Sequence, residues 1–138
     1  MQVTGVNRRI AVVNFDYTDF ATGVFTPAFV LPNGSQILGG GLNITTASNA
    51  ASTDTLALGI TGNHGRNLAA TDAKTAASTT SLTAVTSVSG ETIGITRTLG
   101  GAAGTQGAGY FWVEYLIPTA FDFLVGSMPI AKDANEST

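Results

Sequence analysis

Apolar residues recur at every second position along much of this chain, with small or hydroxylated residues between them. That period is the signature of half-buried strands, since a helix would space them three and four apart. It is clearest from Leu31 to Gly62, LPNGSQILGGGLNITTASNAASTDTLALGITG, where Leu38, Leu42 and Ile44, then Leu56, Leu58 and Ile60, recur at every second or fourth residue. Pro32-Asn33-Gly34 predicts a reversal of the chain, because proline fixes φ at the second turn position and glycine tolerates positive φ after it. Gly39-Gly40-Gly41 lies inside a strand pattern, where missing side chains mark a bulge, a bend or the close approach of another backbone. ASNAAST after Thr46 reads as a polar loop, and Asp54 opens the next strand.

The flanks extend the pattern. In RRIAVVNFDY, Ala11, Val13, Phe15 and Tyr17 fall on one face of a strand and Ile10, Val12, Asn14 and Asp16 on the other. TDFATG predicts a turn or a short irregular turn of helix, and Pro27 confines the following run, VFTPAFVL, to an edge or a bulge. GNHGRNL reads as a loop. LAATDAK is the segment with most helical propensity and predicts one short helix. SLTAVTSV and ETIGITRT, separated by Ser89-Gly90, predict a tight hairpin. A mobile glycine-rich loop follows from Gly100 to Gly109, and then GYFWVEYLI, apolar on both faces and therefore central, between a core and a second layer or a neighbouring subunit. Beyond Pro118 the strand period fades, although Phe121, Phe123, Leu124, Val125, Met128 and Ile130 keep the segment apolar. These elements predict an N-terminal arm over 1–9, a β-sandwich domain over 10–117 and a C-terminal arm over 118–138. The fold class is all-β, a jelly-roll-like antiparallel sandwich with one short helix.

Composition narrows the use of such a module. The 138 residues are 43% hydrophobic and 11% charged, the latter about half the usual ~25%, so Thr, Ser, Asn, Gly and Ala must build the exterior. A surface of that kind suits burial against other protein. The net charge of -3 and pI of about 4.7 give nucleic-acid phosphates no basic footprint. The absence of cysteine excludes disulfides and thiolate metal sites. No signal-peptide pattern and no 18-residue apolar run is visible, so no membrane partner is expected.

Candidate chemistry is sparse. His64, the single histidine, sits between polar and glycine residues without acids at a metal-ligand spacing, and reads as a solvated loop residue. No nucleophile elbow accompanies it for a serine triad. Asp16 and Asp19 straddle a strand end, where carboxylates cap backbone N–H groups. Glu114, considered with Asp122 as a glycosidase pair, interrupts the aromatic strand and predicts an ion pair with a partner such as Arg97; Arg8-Arg9 reads as a solvated pair. The Gly100 loop lacks the Lys-Ser/Thr of a phosphate-binding loop. Tyr110 and Trp112 suit core or interface packing, or alternatively a sugar-stacking platform. No enzyme activity, metal or cofactor is expected.

One combination of motifs resembles a known family. LPNGSQILGGGLNITTA (Leu31 to Ala47), then TLALG (Thr55 to Gly59), with FDYTDFATGV (Phe15 to Val24) before and VEY (Val113 to Tyr115) at the close, is similar to small virion structural proteins of tailed bacteriophages, whose chains carry LPxGaxIxGGxvxVtTAF, TLxLG and VxVEY. Ser48 stands where that pattern has an aromatic, and the arm after Pro118 is longer than in many such chains. The resemblance implies a jelly-roll-like sandwich without enzymatic activity that forms homo-oligomers, often trimers. It implies a capsid decoration or cement protein on the virion surface, assembled in the host cytoplasm and partnered by itself and the phage major capsid protein. The expected subunit and capsid contacts are Arg8, Arg9, Tyr110, Trp112, Glu114, Phe121, Phe123, Leu124 and Met128. The alternative is a head-fibre or tail-associated carbohydrate- or receptor-binding module with Tyr110, Trp112 and His64 near the binding surface.

Overall fold

The computed structural model describes residues 5–76, 79–85 and 90–119. Among the described residues eight strands occur in the order β1 (Gly5–Asp16), β2 (Phe25–Val30), β3 (Gln36–Thr46), β4 (Asp54–Ile60), β5 (Asn63–Asp72), β6 (Thr79–Ser81), β7 (Thr92–Leu99) and β8 (Ala108–Thr119). They form two four-stranded antiparallel sheets, β1-β8-β3-β6 and β2-β7-β4-β5. The chain changes sheet at every connection except β4 to β5, which is the winding of a jelly roll. Leu31, Ile37, Leu42, Ile44, Leu56, Leu58, Ile93, Ile95, Phe111 and Val113 are buried between the layers, and Phe29 of β2 stacks on Phe111 of β8 across the gap at 6.4 Å. The aromatic strand β8 is central, as its two apolar faces require, with β1 on one side and β3 on the other.

The glycine run of β3 shows why side chains are missing there. The ladder with β8 slips by one residue between Ile37 and Gly39, so inward parity is odd before the bulge and even after it. Ile37 therefore joins the core with Leu42 and Ile44, while Leu38 is 38% exposed, contrary to the simple periodicity of Leu38, Leu42 and Ile44. A Cβ on Gly40 would overlap the Trp112 carbonyl, and one on Gly41 would sit 2.9 Å from the Trp112 indole nitrogen. Pro27 lies on edge strand β2 beside a register shift, and Gly34 takes φ +82° in the turn before β3.

Several expectations need correction. The helix predicted over LAATDAK is instead the second half of β5 as far as Asp72; among the described residues the helical structure is a 3-10 turn at Tyr17–Asp19. Hydrogen bonding to β4 and burial of Leu68 override the helical propensity of its alanines. GNHGRNL is likewise strand, beginning immediately after a two-residue turn at Thr61-Gly62. The turn of the hairpin predicted at Ser89-Gly90 includes Ser89, which lies outside the described residues; the strands on either side are in opposite sheets, β6 pairing with β3 and β7 with β2 and β4. β1 and β8 pair along their whole length, from Gly5 opposite Thr119 to Asp16 opposite Ala108. Among the described residues no helix is long and apolar enough to cross a membrane.

Candidate functional site

Alternation along β1 and β8 sends Ala11, Val13, Phe111 and Val113 into the sandwich and Arg8, Ile10, Val12, Tyr110, Trp112 and Glu114 to the outer face of the first sheet. On that face register places Ile10 beside Glu114, Val12 beside Trp112, and Gly41 of β3 on the other side of Trp112. The indole rests against Gly41, the position where a side chain would displace it. Ile10 and Val12 are 60% and 58% exposed. Asn43 donates to the Tyr110 hydroxyl at 2.9 Å, fixing that ring beside the tryptophan. This is an apolar strip with hydrogen-bonding groups at one end.

A charge pair stands at its other end. Arg8 Nε donates to Glu114 Oε2, and this contact raises the Arg8 pKa above its ordinary value. The expected interstrand pair is present, but its cation is Arg8 in place of Arg97. Parity forbids the latter: Glu114 points outward from the first sheet, while Arg97 points inward from the second. Arg8 is accordingly paired, in contrast to the solvated reading, and Arg9 has the opposite parity, so the two arginines do not share a face. Phe121, Phe123, Leu124 and Met128, and Asp122 with them, lie outside the described residues.

Arg97 forms a second, buried network that sequence reading missed. Its Nε and Nη2 donate to Asp54 at 2.8 and 2.5 Å, Nη1 donates to the Tyr17 carbonyl at 3.2 Å, and Ser48 donates to Asp54 at 2.5 Å. Hydrogen bonding to Asp54 raises the Arg97 pKa. A cavity of about 20 Å³ bordered by Thr46, Ser48, Asp54 and Arg97 adjoins it, room for about one water. The available signal was parity: Arg97 continues the series Ile93, Ile95, and Asp54 precedes Leu56, Leu58. Ser48, where the phage pattern has an aromatic, is the hydroxyl that serves this carboxylate. At the neighbouring corner Asp16 accepts from the Thr18 N–H at 2.8 Å and Asp19 from the Asp16 N–H at 2.8 Å, the capping role expected of both. The Thr18 hydroxyl and N–H hold the Asp16 pKa below the carboxylate range.

His64 occupies β5 and stacks on Phe25 at 5.3 Å. Phe25 lies over Gly94 on the outer face of the second sheet, so His64 and Trp112 are on opposite faces of the sandwich and share no surface. Among the described residues no three His, Cys, Asp or Glu side chains converge on a point that could hold a metal. The glycine-rich loop before β8 is fastened by Asn49 Oδ1, which accepts from the Thr105 and Gln106 N–H groups at 2.7 and 3.1 Å.

No protein-family model and no curated protein matches the chain. Solved structures share its fold. A chain of the cyanophage Pam1 capsid asymmetric unit superposes with a TM-score of 0.62 at 22% identity, over 83% of this chain and 86% of that one. A chain of the acid-stable capsid of Helicobacter pylori bacteriophage KHP30 gives 0.62 at 16% identity, over 86% and 97%. A subunit of the Bacillus endospore appendages, a family of disulfide-linked pili, gives 0.52 at 15% identity, over 86% and 92%. At these identities the likeness is one of fold.

Proposed function

We propose that this chain is a non-enzymatic structural protein of a bacteriophage virion, a cement or decoration protein that self-associates as a trimer and bridges major capsid protein subunits on the head. The observation that carries the reading is the outer face of the first sheet. It is an apolar strip of Ile10, Val12 and Trp112 on a molecule with only 11% charged residues, where water is displaced at little electrostatic cost. Covering the part of each aliphatic still exposed, 60% of Ile10 and 58% of Val12, contributes roughly 1–2 kcal/mol, and contacts completed only in the assembled shell stabilise that shell by linkage. Three of the fold's neighbours come from phage capsids, those of Pam1, KHP30 and the Ralstonia phage GP4, which supports the setting. The spore-appendage neighbour is described as disulfide-linked, and this sequence holds no cysteine for such links. Arg8, Tyr110, Trp112 and Glu114 are the proposed contact residues.

The test is the mass of the purified chain in solution beside its copy number per particle. Trimers in a number matching the capsid threefold positions agree with cement. A monomer whose removal leaves particles equally resistant to heat overturns the proposal. The indole resting on Gly41 supports a second reading, a fibre- or tail-borne carbohydrate-binding module; glycan-array binding lost in Trp112→Ala with the fold intact would select it.

A further inference from the structure

Among the described residues β1 and β2 are edge strands of their sheets, and the two edges are built differently. β2 is short and carries Pro27 beside a register shift, which spoils it as a template for another strand. β1 has neither safeguard. It runs for twelve residues, GVNRRIAVVNFD, without proline or bulge, and its middle is uncharged, with Ile10 and Val12 exposed. Charge sits only toward its two ends and with opposite sign, Arg8 and Arg9 at one and Asp16 at the other. Such a strand repels a copy lying parallel and attracts one lying antiparallel. Neither end is saturated. Arg8 commits Nε to Glu114 and keeps its two terminal nitrogens on a largely exposed side chain, while Asp16 receives Thr18 on Oδ1 and has Oδ2 left for a further donor.

We infer that β1 pairs antiparallel with β1 of a second copy of this chain about a two-fold axis at Val12, joining their first sheets into one continuous sheet. Face and charge fix the register. A two-fold axis normal to a sheet sets one residue opposite its own copy, so that every residue keeps its face, and the candidates at the middle of the strand are Ala11, Val12 and Val13. Centring on Ala11 sets Arg8 against Asn14, and centring on Val13 sets Asp16 against Ile10. Centring on Val12 sets Arg8 against Asp16 on either side of the axis, all on the outer face. The same register puts Arg9 of the second copy opposite Phe15, at the groove of about 290 Å³ between β1 and β2 whose one titratable lining group is Asp19. Arg9 shares the parity of Val13 and Phe15, which line that groove. Two complementary charge contacts thus arise on opposite faces of one strand, and each is made twice, as an isologous interface requires. The outer strip is continued as well: Val12 meets its copy on the axis, and Trp112, beside Val12 on β8, flanks it on both sides. This contact joins molecules two by two, is separate from a threefold contact, and does not depend on a virion role.

The absence of native cysteine makes cross-linking in the full chain a direct reading of the register. Directly opposite residues of an antiparallel pair have Cα atoms about 4.5–5.5 Å apart, within disulfide reach. Val12→Cys should therefore oxidise to a covalent dimer at least about tenfold faster than Ile10→Cys or Asn14→Cys, whose copies lie about 13 Å apart along the strand. A mixture of those two variants should form their heterodimer as fast as Val12→Cys forms its own dimer. Equal rates for the three single variants overturn the inference. Sedimentation tests the same point without a cross-link. Arg8→Asp and Asp16→Arg should each associate about tenfold more weakly than the parent, because each sets like charges opposite one another. Mixed, the two should pair as the parent does, since every contact again joins an arginine to an aspartate; with both folded by circular dichroism, an unrestored mixture refutes the pairing. The cysteine rates decide alone should Asp16→Arg fail to fold. A trimer whose Val12→Cys form does not cross-link ends the edge contact and leaves the cement reading standing, whereas a cross-linked dimer whose removal leaves particles equally resistant to heat does the reverse.

Discussion

Replacing Arg97 by Met tests whether the buried network holds the end of the sandwich together. The side chains of Arg97 and Asp54 are 6% and 1% exposed, and two charge-assisted hydrogen bonds join them. Methionine fills much of the same volume but leaves Asp54 with Ser48 as its remaining side-chain donor. Breaking such a pair from one side costs about 3–5 kcal/mol, because an uncompensated charge stays buried. The adjoining cavity can admit about one water, which places the expectation at the lower end of that range. The Tyr17 carbonyl loses its arginine donor as well, so the 3-10 turn loosens with the pair. With a urea m-value of about 1.5 kcal/mol/M, the unfolding midpoint should fall by about 2 M. Adding Asp54→Asn removes the stranded charge, and the double variant should be more stable than Arg97→Met alone. A midpoint change below about 0.5 M for Arg97→Met, under 1 kcal/mol at that slope, would mean the carboxylate is solvated, and the argument from burial would fail. Glu114→Gln is the control: its partner Arg8 is exposed, so the midpoint should not move measurably, whereas a shared Arg97–Glu114 pair would make both variants costly.

Gly40→Ala places a Cβ against the Trp112 carbonyl and should destabilise by about 1–3 kcal/mol, read as a urea midpoint; an unchanged midpoint would show that the β3–β8 bulge yields freely. Ile10→Asp with Val12→Asp lies on exposed positions and should leave stability within about 0.5 kcal/mol while weakening self-association or particle attachment by at least about tenfold; retained attachment would move the contact surface elsewhere. Asp16 has a folded-state pKa below the ordinary value of about 3.9, so its stabilisation is complete above that value and is lost as pH falls through the folded pKa. Asp16→Asn should therefore show a smaller loss of urea midpoint than the parent between about pH 5 and pH 2, and equal losses would assign the acid sensitivity to other carboxylates.

The sequence made the layers legible and the connections much less so. Period-two runs identified β1, β3, β4, β7 and β8 because each presents one apolar face to a single core, and that demand is written residue by residue. β5 was misread because local propensity of an alanine-rich stretch opposes its final state, and the deciding interactions come from β4. Its bulge, with Leu58 opposite Leu68 but Ile60 opposite Asn63, also scrambles the alternation that would have revealed it. The β6–β7 passage failed for another reason: a two-residue spacing fits a hairpin equally well whether or not the strands stay in one sheet. For Arg97 the information was present, since a strand that buries Ile93 and Ile95 buries the next residue of the same parity. Sequence reading sought its partner by charge alone, where face and charge together single out Asp54.

Charge placement links the fold to the proposed role. Arg8, Arg66 and Arg97 each meet a carboxylate, Glu114, Glu91 and Asp54 respectively, and each pair joins strands or segments distant in the chain. Charges spent on internal and interstrand pairing are withdrawn from the exterior, and in a chain with so few of them the outer faces are left to Thr, Ala, Gly and isolated apolar side chains. Such faces repel like copies weakly, and no dense ionic shell must be stripped before they meet. Long-range steering is correspondingly slight, so encounter rates stay modest and affinity must come from the area covered and its fit. A face carried on the hydrogen-bonded strands β1, β8 and β3 supplies fit with little backbone ordering left to do. A molecule of this type gains most where many copies are held near one another on a larger assembly, because local concentration then replaces the electrostatic attraction that its surface lacks.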